Sequence, residues 1–164
     1  MKLLWAPWRI RFILENNQVS SECIFCKLPK EKDDQKNLIL HQSRHSFVVL
    51  NKFPYNSGHL MVVPHMHTAS LTSLSNEAFL ELHCLIRDSI EILDRTMKPM
   101  GYNIGMNLGR AAGAGIAEHF HYHIVPRWNG DTNYMPILAD TKVIPESLDE
   151  TYLRLHPFYS KKIK

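Results

Sequence analysis

The chain has 164 residues, 45% hydrophobic and 21% charged, a balance that suits a globular domain with its own core and excludes global disorder. Its apolar runs fall far short of the roughly 20 residues a membrane helix needs. Lys and Arg (19) against Asp and Glu (16) leave +3, too small and too scattered a surplus to mark a nucleic-acid-binding face.

In chain order, residues 1–22 form an aromatic and basic arm with Trp5, Pro7, Trp8, Arg9 and Arg11, expected to pack on its own domain or on a partner subunit. The arm lacks the apolar stretch of about 7–15 residues and the small-residue cleavage site of a secretory signal, so a cytoplasmic protein is expected. Cys23 and Cys26 form a C-x-x-C pair. With Cys84 as the third cysteine, this is a poor disulfide framework and a better metal or redox pair for a reducing compartment. Cys84 lies in a helical pattern and reads as a buried small hydrophobe. Residues 28–37 read as a solvated loop. Short β-type runs follow at 37–41, 45–52 and 59–65, with the turn-rich FPYNSG between the last two, which predicts an antiparallel hairpin or meander. Phe79, Leu82, Ile86, Ile90, Leu93 and Met97 then recur at spacings of three and four, predicting a helix of about 20 residues capped by Ser75 and stopped at Lys98-Pro99 with Gly101. Two more strand-like runs occupy 102–108 and 119–127, joined by the small-residue loop 109–118. The extension from 129 to 164 mixes polar turns, an apolar patch at 142–145 and a short helix around Glu146–Leu155 that ends at His156-Pro157. A single α+β domain over 1–164 is expected, with an antiparallel sheet of about five strands covered on one face by the long helix.

Histidine is the residue type in excess, at 10 of 164. In HFHYHIVPR at 119–127 it alternates with apolar residues, so a strand would set His119, His121 and His123 on one face and Phe120, Tyr122 and Ile124 on the other. Such a row suits either of two chemistries: ligation of a catalytic Zn²⁺ by three imidazoles, or nucleophilic attack by the central one. Adjacent same-face residues lie about 6.6–7 Å apart, and the first and third about 13 Å apart. Ligand nitrogens would all have to lie about 2.0 Å from one ion, so the spacing favours the nucleophile.

The run HFHYHIVPR resembles the His-φ-His-φ-His-φ-φ signature of the histidine triad (HIT) superfamily. NKFPYNSGHLMVVP at 51–64 resembles its strand pair with a Gly-His step at Gly58-His59, and GMNLGRAAGAGIAEH at 105–119 resembles its phosphate loop. WAPWR at 5–9 and VPRWNGDTNYMP at 125–136 are most similar to the bacterial branch that includes diadenosine tetraphosphate phosphorylase-like proteins. The hexose-phosphate transferase branch usually has Gln at the third triad position, where this chain has His123.

The resemblance implies a HIT-like fold and an enzyme in which His121 attacks the α-phosphorus of an adenine nucleotide, giving a nucleotidyl-histidine opened by water or phosphate. Neutral imidazole is nucleophilic near pH 7, which suits that role. His123 would bond the phosphate or leaving group, and His59 would support the catalytic ring. Loop 109–118, with three glycines and four alanines, would cradle phosphate through backbone N–H groups at Gly113, Ala114 and Gly115, where many relatives use Ser or Gln. Asn107 would touch phosphate and Asn51 ribose. A structural zinc would sit on Cys23, Cys26, His67 and His119, with His65 as a substitute ligand and a redox C-x-x-C as the alternative. The implied partners are a purine nucleotide or dinucleoside polyphosphate and a second copy in a homodimer, without nucleic acid or membrane. Alternative readings are a zinc-dependent hydrolase using the histidine row as ligands and a nucleotide-binding sensor with little catalysis.

Overall fold

The computed structural model describes residues 22–131 and 145–162. The N-terminal arm up to residue 21 and most of the 142–145 apolar patch lie outside the described residues.

Five short runs pair into one antiparallel sheet: β1 (Ile39–Gln42), β2 (Ser46–Leu50), β3 (Leu60–Pro64), β4 (Gly101–Met106) and β5 (Tyr122–Arg127), in the order β1-β2-β3-β5-β4. Side chains alternate between faces. Leu40, Val48, Leu50, Leu60, Val62 and Ile124 therefore join the core beneath the long helix. Ile39, Phe47, Val49, Met61 and Val63 occupy the opposite face, closed by Phe25 of a one-turn helix, α1 (Ile24–Lys27). The expected meander, strand count and helical layer are all present, and the second face is covered as well. Burial on both sides explains why β2 and β3 read as unbroken hydrophobic runs, with all ten residues buried.

The long helix, α2 (Asn76–Thr96), starts where expected, with Ser75 Oγ accepting the Ala78 N–H at 3.2 Å. Its buried stripe is Ala78, Leu82, Leu85, Ile86, Ser89, Ile92 and Leu93. Phe79, expected on that stripe, is 42% exposed in the first turn and packs on the His83 ring instead, with centroids 4.1 Å apart.

Two expected boundaries are corrected. Strand β5 begins at Tyr122 rather than at 119. Before it, the Phe120 N–H bonds the Thr68 carbonyl at 2.9 Å and the His119 ring bonds the Pro64 carbonyl at 2.8 Å, so residues 119–120 bond the end of β3 and the segment beyond it. The C-terminal helix, α3 (Leu148–Lys162), does not end at His156-Pro157 but runs through Pro157. It opens with a capping box in which the Glu150 N–H bonds Ser147 Oγ and the Ser147 N–H bonds Glu150 Oε2. An interior proline costs about 3 kcal/mol. Beyond it, Tyr159 is fully buried and donates its hydroxyl to Ser89 Oγ at 2.7 Å, while Leu155 is fully buried one turn earlier. Burying side chains of this size contributes about 1.5–3 kcal/mol each, which offsets the proline. Among the described residues no helix is long and apolar enough to cross a membrane.

Candidate active site

The Gly58-His59 step has a conformational reason. Gly58 has φ +72°, and a Cβ there would lie 2.6 Å from Met97 Sδ, so the turn into β3 takes glycine. His59 follows, buried. In the β3–β5 register Met61 faces His123, which makes His59 a diagonal neighbour of His123 on the same face. Their rings meet with His59 Nε2 2.9 Å from His123 Nδ1.

Backbone donors set the tautomers. The Tyr55 N–H donates to His59 Nδ1 at 3.0 Å, so that nitrogen carries a lone pair and the neutral ring holds its proton on Nε2. His59 Nε2–H then donates to His123 Nδ1, which leaves the His123 proton on its outer nitrogen, Nε2. The Tyr55 ring, 43% exposed, lies against both, with centroids 4.6 Å from His59 and 5.8 Å from His123.

His121 is buried, its ring 4.8 Å from that of His123 and 4.8 Å from Phe25. Its Nδ1–H donates to the His119 carbonyl at 3.1 Å, so the lone pair sits on Nε2. Burial pushes its pKa below the ordinary imidazole value, against the opposing pull of that carbonyl. The ring is a base whose lone pair sits on Nε2.

His119 turns the other way. Its Nε2–H donates to the Pro64 carbonyl at 2.8 Å, leaving Nδ1 3.4 Å from Cys23 Sγ and 3.6 Å from Cys26 Sγ; His67 Nδ1 lies 3.3 Å from Cys26 Sγ. The four ligand atoms all lie within 4.8 Å of one another. Zn–S and Zn–N bonds of about 2.3 and 2.0–2.1 Å at tetrahedral angles put S and N about 3.5 Å apart, so the donor set fits zinc. The protonation states fit too. Burial holds the His119 pKa down at about 4, keeping the ring neutral, and its anchored Nε2–H is the arrangement that orients a histidine ligand. Burial, then the neighbouring Cys23, raise the Cys26 thiol pKa, an obstacle to ionisation that a bound cation removes. His65, the substitute ligand, bonds the Ser43 carbonyl at 3.1 Å and stacks on Phe47; it is not in the cluster.

The three imidazoles of the row thus bond in three directions: His119 to the cysteines, His121 to a backbone carbonyl and His123 to His59. They do not converge on one ion, which counts against the zinc-dependent hydrolase reading.

Strand β4 leads toward the loop at 109–118. Its pairing with β5 sets Gly105 opposite His123 and Met106 opposite Tyr122; continued one step, that register sets Asn107 opposite His121. Asn107 Nδ2 donates to the Gly113 carbonyl at 3.4 Å. The loop makes a 3₁₀ turn at Arg110–Ala112, and the N–H groups of Gly113 and Ala114 bond the carbonyls of Arg110 (2.9 Å) and Gly109 (3.3 Å). Two of the three expected phosphate donors are therefore engaged inside the loop. Asn51 lies beside His59, with Nδ2 3.4 Å from its Nδ1 and Oδ1 accepting the Phe53 N–H at 2.9 Å. Sequence reasoning missed Phe25 and Tyr55. An apolar residue between the two cysteines of the C-x-x-C pair, and an aromatic four residues before the Gly-His histidine, were the available signals.

Comparison with known proteins gives a consistent result. The family model described as HIT domain matches residues 32–130. An AP-4-A phosphorylase of Mycobacterium tuberculosis is 36% identical over 158 residues, covering 92% of this chain and 80% of that protein. An adenosine 5'-monophosphoramidase of Schizosaccharomyces pombe is 32% identical over 107 residues, covering 65% of this chain and 75% of that one. Among solved structures, a Zn-bound histidine triad family protein from Mycobacterium smegmatis shares the fold with a TM-score of 0.68 at 23% identity, covering 87% of this chain and 96% of that one.

Proposed function

The chain belongs to the HIT domain family, and from that premise we propose that it is a nucleotide hydrolase or phosphorylase cleaving an adenine nucleotide such as diadenosine tetraphosphate through His121. The observation that carries the reading is the 3.1 Å contact between His121 Nδ1 and the His119 carbonyl: a carbonyl only accepts, so the ring proton sits on Nδ1 and the lone pair on Nε2.

In the first step His121 Nε2 forms a bond to the α-phosphorus while the bond from phosphorus to the bridging oxygen breaks, and His123 Nε2–H bonds the departing phosphate oxygen. His59 holds the His123 ring through Nδ1, which assigns the His123 proton to Nε2. In the second step water or inorganic phosphate attacks the same phosphorus, the P–N bond breaks and His121 is regenerated. Asn107 and the 109–118 loop would hold the phosphate, through the Gly115 N–H and the second Nδ2–H of Asn107, the first being given to the Gly113 carbonyl; Asn51 would meet the ribose and steady His59. Cys23, Cys26, His67 and His119 would hold a zinc ion, which would supply a structural cross-link between the segment at α1 and the start of the triad. The family also implies a homodimer, and the exposure of Ile104 on the edge strand β4 supports it.

Product analysis on diadenosine tetraphosphate tests the reading. ADP plus ATP formed only with inorganic phosphate identifies a phosphorylase, and AMP plus ATP without it a hydrolase. His121→Ala abolishes either while leaving the fold intact. Tight nucleotide binding without turnover by the unaltered chain would instead support the sensor reading.

A further inference from the structure

We propose that Asp131 is a positioning residue for this reaction, acting through Asn56 to hold His59 against His123; the inference rests on the roles assigned above to those two histidines. Strands β3 and β5 pair only through Leu60–Val62 with Tyr122–Ile124. Past that ladder the chain of β5 reaches Pro126, which has no N–H to contribute. Asn56 takes over there. Its side-chain Nδ2 donates both to the Pro126 carbonyl at 3.0 Å and to Asp131 Oδ2 at 2.8 Å, and its backbone carbonyl accepts the His59 N–H at 3.2 Å. One buried residue, through its backbone on one side and its side-chain amide on the other, thus ties the turn before His59 to the end of the strand that carries His123.

Asp131 gathers the donors around that amide. Its Oδ2 also accepts Arg127 Nε at 2.6 Å and the Trp128 N–H at 3.2 Å, and its Oδ1 accepts Arg127 Nη2 at 2.9 Å. The carboxylate side chain is 7% exposed and Asn56 5%. A bidentate Arg–carboxylate pair is rigid, so the position of Asp131 is fixed by the backbone just after β5. Asn56 is fixed in turn. Tyr55, whose N–H sets the His59 tautomer, is the residue next to it. Without the carboxylate, the Asn56 amide loses one of its two acceptors and the Trp128 N–H its partner. The Tyr55–Gly58 turn is then free to shift relative to β5. A misplacement of about 1 Å at a catalytic group costs on the order of 10²-fold in rate.

The test uses the full chain with Asp131→Asn, which preserves shape, and Asp131→Ala. Turnover of diadenosine tetraphosphate is measured alongside the imidazole ¹⁵N signals of His59 and His123, which report each ring's tautomer. The expected result is a kcat lower by roughly ten- to hundred-fold, a KM within about twofold, and ring signals moved from their single-tautomer positions. Arg154→Gln, which breaks the 2.7 Å ion pair with Glu146 beside α3, leaves kcat and ring signals unchanged. Either a wild-type kcat or unmoved ring signals in the Asp131 variants overturns the proposal. If the unaltered chain cleaves no dinucleotide, the functional reading fails, and the ring signals alone then decide whether Asp131 positions His59.

Discussion

Each histidine near the site has its chemistry fixed by one bond to the backbone or to another ring. A carbonyl on His121 Nδ1 leaves the lone pair on Nε2, as the proposed nucleophile needs, and a carbonyl on His119 Nε2 leaves Nδ1 turned to Cys23 and Cys26. The two rings are two residues apart and use opposite nitrogens. The alternation in 119–123 gave their shared face but could not give this assignment, because the acceptors lie on Pro64 and on the run's own backbone. The metal site is testable here. Purified protein is expected to hold about one zinc per chain, and Cys23→Ser or Cys26→Ser to lose it with a fall in Tm of about 5–10 °C, as expected when a ligand of the folded state is removed. Equal metal content in wild type and both variants would reject the site. The C-x-x-C spacing alone offered half a ligand set. His67 and His119 came from the resemblance, and the folded chain brings all four within 4.8 Å.

At the scale of elements, local signals succeeded where one element decides its own course. Helix α2 has its stripe and its cap in the sequence, and β2 and β3 have unbroken apolar runs. They failed where a distant partner decides. Helix α3 passes Pro157 because Tyr159 and Leu155 are anchored in the core and Tyr159 reaches Ser89 on α2, a contact 70 residues away that no local pattern encodes. Removing only that hydroxyl, Tyr159→Phe, is expected to destabilise the chain by about 1 kcal/mol, and Leu155→Ala by about 2–5 kcal/mol, both read by denaturant unfolding. A Leu155→Ala cost below that of Tyr159→Phe would mean α3 is not held by its apolar face. Strand β5 starts late for the same kind of reason, since residues 119–120 bond Pro64 and Thr68 instead of a neighbouring strand.

Over the whole molecule, the sheet has one structural face and one chemical face. The helices α2 and α3 close the first, and the second carries the Cys23, Cys26, His67 and His119 cluster, His121 and the His59–His123 pair in succession beside β3 and β5. Stability has its own titration on the structural side. His41 is half-buried, its ring stacks on Tyr159, and its Nε2 has no hydrogen-bond partner among the described residues. Burial lowers its pKa, against the pull of Glu81, Asp34 and Asp88. The unfolded chain therefore binds this proton more readily than the folded one. The His41 contribution is complete above the ordinary imidazole pKa and is lost as pH falls through that value toward the lower folded one. Unfolding free energies of wild type and His41→Gln measured from pH 8 to 5 are expected to converge toward the acid end, and a gap independent of pH would contradict this. The central claim is covalent chemistry at His121, and the most direct measurement is mass spectrometry of the chain after mixing with diadenosine tetraphosphate and quenching without acid. If His121 is the nucleophile, the chain gains the mass of one adenylyl group at His121 and His121→Ala gains none; an unmodified chain that still consumes the dinucleotide, or a His121→Ala chain that retains most of the activity, would rule that chemistry out.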